Sequence, residues 1–137
     1  MTGAGTLASE APPSTRVLIP VADARVEGPS AEQNFGGSSV LKVDSSPAYA
    51  SYLRFELGNL TSPVLGAKLR LYATDATVSG PDVSTTGDAW QEKAVTYLAR
   101  PANQTWVARA GAVAAESWVE WDVTSAVQGR STVSFAL

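Results

Sequence analysis

A chain that alternates apolar and polar residues in short runs, and nowhere sustains a helical period, is confined to a β-fold. Segments 51–57 (SYLRFEL) and 67–73 (AKLRLYA) show the alternation most clearly. Successive side chains of a strand project to opposite faces, so a period of two means one covered face and one wet face. The pattern predicts Leu53, Phe55 and Leu57 facing a core with Tyr52, Arg54 and Glu56 facing water. It likewise predicts Leu69 and Leu71 inward against Lys68, Arg70 and Tyr72. The outward positions carry cations and tyrosines rather than serines and threonines, which suits a sheet surface that holds a ligand.

Further strand candidates are 16–19, 23–27, 40–43, 78–84, 94–98, 105–108, 118–123 and 132–137. In 40–43, Leu41 and Val43 are expected inward and Lys42 outward. Residues 124–128 are expected to make one helical turn, capped by Asp122 or Thr124 and closed by Gly129. Residues 108–116 have helical composition but are short and contain a glycine, so they read as a loop. Many short strands at this spacing predict an all-β fold, an antiparallel, jelly-roll-like β-sandwich. One domain over 16–137 is expected, preceded by a flexible linker over 1–15 that is rich in Gly, Ala, Ser, Pro and Thr.

Composition excludes several chemistries. There is no cysteine and no histidine, so thiolate ligands, a cysteine nucleophile and the usual neutral-pH base are missing. The formal net charge is −3 and the ten Lys and Arg residues are scattered, which argues against a nucleic-acid partner. No apolar stretch approaches the roughly 20 residues of a membrane-spanning helix, and the first 16 residues do not read as a signal peptide.

Seven segments appear in an ordered series: 21–26 (VADARV), 34–43 (NFGGSSVLKV), 52–57 (YLRFEL), 67–72 (AKLRLY), 90–101 (WQEKAVTYLARP), 121–127 (WDVTSAV) and 133–137 (VSFAL). In this series the chain resembles the DNRLRE (disaggregatase-related repeat) domain, a group similar to the carbohydrate-binding modules of family ninety-six. The resemblance implies a β-sandwich of large secreted or cell-surface proteins, found beside glycan-active enzymes, with some members binding acidic glycans such as alginate. Domains of that group usually run on for a further strand pair beyond the segment matching 133–137. The expectation is therefore a sandwich lacking its last strand pair, with an open edge at 132–137 that either a missing C-terminal segment or another chain would fill.

The leading functional expectation is a non-catalytic binding module for a polysaccharide, uronic-acid-rich by its cations. Lys42, Tyr52, Arg54, Lys68, Arg70 and Tyr72 would share one outer sheet surface, with Trp118 as a stacking ring. Arginine offers a planar fork matched to a carboxylate, and tyrosine a ring for a sugar face. The same residues also suit plain solvated strand positions, with Glu56 pairing an arginine. Trp121 reads as core, Trp90 as packing on the sandwich end, and Trp106 and Trp118 as the exposed tryptophans. The alternative is a structural repeat of a surface fibre or adhesin that accepts a neighbour's strand. No cofactor is expected; a structural calcium ion would draw on Asp23, Asn34, Asp44 and Asp122. Glu116, Glu120 and Asp122 lie close enough for paired-carboxylate chemistry, but no cleft is indicated, so no enzyme is expected.

Overall fold

A computed structural model describes residues 14–137; most of the expected linker lies outside them. The described chain is a sandwich of two antiparallel sheets with no closed barrel. The elements are β1 (Ala22–Glu27), a 3-10 turn (Gly28–Ser30), β2 (Asp44–Ser45), β3 (Ala48–Glu56), β4 (Lys68–Ala73), β5 (Asp82–Thr86), β6 (Asn103–Arg109), β7 (Ser117–Asp122), α1 (Thr124–Val127) and β8 (Thr132–Ala136). The large sheet runs β1-β3-β8-β5-β6, with β2 hairpinned onto β3. The small sheet is the pair β4-β7.

The core between the sheets forms where their apolar stripes meet. Leu69 and Trp121 of the small sheet pack with Val83, Val133 and Phe135 of the large one, and with Leu57, Val123 and Val127 from the connections. Each of these residues is at most 8% exposed. The other face of the large sheet is also covered. Ala22, Ala24 and Val26 of β1, Tyr52 of β3 and Ala136 of β8 pack with Trp90 and Val95 from the β5–β6 connection.

That second cover explains the 34–37 stretch. The Asn34 side-chain amide donates to the Glu92 and Val95 carbonyls at 2.9 and 2.8 Å. A Cβ on Gly36 would sit 1.8 Å from the Glu92 carbonyl oxygen, so only glycine fits this approach. The Glu92 carboxylate in turn accepts the Asp23 N–H at 2.8 Å. Arg25 stacks 4.7 Å over the Phe35 ring and pairs with Glu27 at 2.6 Å.

Four sequence expectations are corrected. Residues 16–19 form no strand; Val17 and Ile19 are 91% and 82% exposed and find no sheet to join. Residues 40–43 form none either, because Lys42 bonds through its backbone to the Ser51 hydroxyl rather than to a neighbouring strand. Residues 94–98 belong to the covering connection, where Ala94 and Val95 donate back to the Gln91 carbonyl and Val95 tucks beneath. Most consequentially, β8 is not an open edge. It lies between β3 and β5 and is paired to both, with Leu137 extending the ladder onto Ser51. A strand donated beside 132–137 would find no free backbone there, and this removes the observation that favoured the fibre reading.

The β4–β7 face as candidate functional site

The small sheet presents a single wet face, and its chemistry follows from register. Leu69 and Trp121 point into the core, so their neighbours point out. Antiparallel pairing sets Lys68 opposite Asp122, Arg70 opposite Glu120 and Tyr72 opposite Trp118. The ladder continues through the Val123 N–H to the Ala67 carbonyl at 2.9 Å. Four of the seven expected binding residues, Lys68, Arg70, Tyr72 and Trp118, are thereby gathered on one surface.

Aromatic and charged rungs share this face. Tyr72 and Trp118 are 52% and 59% exposed and meet edge to face, ring centres 5.5 Å apart at 73°. The Arg70 guanidinium lies 4.7 Å over the Trp118 ring. Arg70 and Glu120 are 3.8 Å apart, as are Lys68 and Asp122, all with about half or more of the side chain in solvent. Asp122 accepts from the Thr124 hydroxyl at 2.6 Å and from its N–H at 3.0 Å. Those two bonds, with a smaller contribution from Lys68, hold its carboxyl below the usual carboxylate range. This is an open surface able to stack a sugar ring and offer cations beside it; its acids are spoken for.

The remaining three residues lie elsewhere. Lys42 is in an exposed loop, its ammonium 5.4 Å over the Tyr49 ring. Tyr52 is 2% exposed, turned inward on the second covered face of the large sheet. Arg54 points the same way, donating to the Trp90 and Asp88 carbonyls at 2.7 and 3.2 Å and stacking 4.9 Å from the Trp90 ring. The expectation that Lys42, Tyr52 and Arg54 join β4 on one surface fails because β3, which carries Tyr52 and Arg54, lies in a different sheet from β4 and Lys42 lies in no strand. Trp106 is 61% exposed, as expected, but its indole N–H donates to Asp82 at 3.1 Å. Asp82 also grips Arg109 with both oxygens at 2.8 and 3.0 Å, and that pairing, then the indole, pulls its pKa down to about 2.

The residues considered for calcium are dispersed. Asn34 spends its amide on two carbonyls, Asp44 caps Ser45 and Ser46, Asp122 binds Thr124, and Asp23 lies on β1. Of the acids considered for catalysis, Glu120 and Asp122 share the flat ladder face and Glu116 lies in the turn before β7. Sequence reasoning missed Glu120 and Asp122 as partners of the cations. It also missed Arg100 and Asn103, which border a groove on the far side of the molecule. An arginine beside Tyr97 and Pro101 is the available signal, and by sequence alone it reads as a chain turn.

Among the described residues no helix is long and apolar enough to cross a membrane. A search among curated protein sequences finds no match. The family model for carbohydrate-binding module family 96 matches residues 14–137, the whole of the described sandwich including both outer faces. The chain belongs to carbohydrate-binding module family 96.

Proposed function

We propose that this module holds an acidic polysaccharide along the β4–β7 face, without cleaving it, as part of a secreted or cell-surface protein. The observation that carries the reading is the exposed cluster of Trp118, Tyr72 and Arg70. A sugar's C–H face stacks on an aromatic ring, and a uronate carboxylate beside it meets a planar guanidinium. The competing ion pairs favour exchange rather than forbid it. Exposed pairs of this kind contribute only about 0–1 kcal/mol, so a polymer carboxylate can replace Glu120 on Arg70. A flat ladder suits contact along a chain rather than enclosure of one bond, and no cofactor enters.

Affinity electrophoresis tests this. Retardation is expected in native gels containing alginate or pectin but not in gels with a neutral cellulose ether. It should weaken with added salt and fall sharply for Trp118→Ala and for Arg70→Ala. Equal mobility in all gels, or retardation by the neutral polymer alone, would contradict the reading.

A further inference from the structure

On the opposite side of the sandwich, the outer face of the large sheet carries a groove of about 440 Å³. Tyr52 and Ala136, cross-strand partners on β3 and β8, form part of its lining. Leu98, Arg100, Pro101 and Asn103 line it too, with Ala50, Ala102 and Leu137. Leu98, Arg100 and Pro101 belong to the end of the β5–β6 connection and Asn103 opens β6, so the groove runs along the margin of that cover.

Tyr52 is the informative residue. Its side chain is buried, yet its hydroxyl makes no hydrogen bond to any described residue. Among the described residues no fully buried side-chain nitrogen or oxygen lacks a partner, and Tyr52 is one of the residues that line the groove. A phenol packed in a core that also lines a groove can donate its hydroxyl proton to a ligand oxygen there. Burial pushes the phenol's pKa up despite the opposing charge of Arg100, which keeps it protonated and a donor.

Arg100 supplies the second half of a site. Its guanidinium lies 3.9 Å over the Tyr97 ring and one nitrogen donates to the Tyr97 carbonyl at 2.7 Å, which fixes its plane. It has no carboxylate side chain within ion-pair distance among the described residues, and no Asp or Glu lines the groove. The contrast with Lys68 and Arg70, each facing an acid across the ladder, is direct. The Leu98 side chain, 70% exposed, and Pro101 add an apolar wall.

We propose that this groove is a second saccharide site, taking a sugar residue that bears a carboxylate. Arg100 receives the anion, the Tyr52 hydroxyl and the Asn103 amide meet ring oxygens, and Leu98 and Pro101 cover the C–H face. The same face continues in register from Ala136 over Ser84 to the exposed Trp106, so a glycan leaving the groove meets a second ring. The site rests on the reading of the protein as a glycan-binding module but uses none of the β4–β7 residues. With sites on opposite faces, one module can bridge two polysaccharide chains.

The test is an NMR titration of the isotope-labelled chain with a galacturonate hexamer and, separately, with cellohexaose. The hexauronate should shift signals of Tyr52, Arg100 and Asn103, with a midpoint independent of the Trp118 signals. Tyr52→Phe, which keeps the ring and the fold, and Arg100→Ala should each weaken the groove midpoint about tenfold, as loss of one charge-assisted or buried hydrogen bond implies. Neither should move the Trp118 midpoint. Groove signals that ignore the hexauronate, that respond equally to cellohexaose, or that keep their midpoint in Tyr52→Phe would overturn the proposal. Groove shifts with Trp118 unmoved would instead overturn the β4–β7 reading and leave this one standing.

Discussion

Strands β3 and β4 are consecutive in the chain and read almost alike, yet they do opposite work. Each carries large apolar residues, Leu53 and Phe55 in one and Leu69 and Leu71 in the other, alternating with arginine and tyrosine. In β4 the alternation has its simple meaning: it sits in a two-stranded lid with one face on the core and one in water, so Arg70 and Tyr72 are exposed. In β3 both faces are covered, one by the lid and one by the connection that carries Trp90 and Val95. Its outward-reading residues become packing: Tyr52 joins a second core and Arg54 clamps the cover through two carbonyls. Residue type therefore did not decide role; the number of layers stacked on each face did.

Substitutions can sharpen or break this contrast. The largest effect is expected for Trp90→Ala, because the ring is 8% exposed, stacks on Arg54 and donates to Ser134 at 3.2 Å. It should destabilise by about 3–5 kcal/mol in denaturant titrations, as for other buried large aromatics. Trp118→Ala, on the lid's wet face, should cost under about 1 kcal/mol, the usual worth of a cross-strand pair. Equal losses would mean the cover is not a second core. Asn34→Ala comes next, at about 1–3 kcal/mol, since two carbonyls of the cover lose their donor. A loss near zero would show that the cover holds without its tether.

The smallest effect is electrostatic and lies outside both covers. The Asp82 pKa is lowered from 3.8 to about 2 in the folded protein. A depressed carboxylate contributes stability that is fully present above the unfolded value and is lost as pH falls through the folded one. The Trp106 indole N–H signal should therefore hold from neutral pH to about 4 and move only as pH drops toward about 2. Movement already at pH 5 would contradict the Asp82 pairing.

Much of the fold was legible because local alternation reports local exposure. The strands near 23–27, 51–57, 67–73, 118–123 and 132–137 and the turn at 124–128 all appear, with small shifts of boundary. The failures share a cause. At 16–19, 40–43 and 94–98 apolar residues alternate without a partner strand, and pairing is a non-local property. The same limit divided the expected site. Lys68, Arg70 and Tyr72 were correctly placed on one face because one strand fixes their side, but nothing local could say that β3 would join a different sheet. Nor could it reveal that β8 would lie between two partners.

The most direct measurement compares Arg54→Ala with Arg70→Ala, reading thermal midpoint and retardation by an alginate gel on the same preparations. Arg54→Ala should lose about 2–3 kcal/mol of stability through two charged hydrogen bonds to carbonyls of the cover, yet keep its retardation while folded. Arg70→Ala should melt within a degree or two of the parent, as expected for an exposed pair worth about 0–1 kcal/mol, and lose most of its retardation. Arg54→Ala losing retardation at an unchanged melting point would contradict the division between clamp and ligand surface.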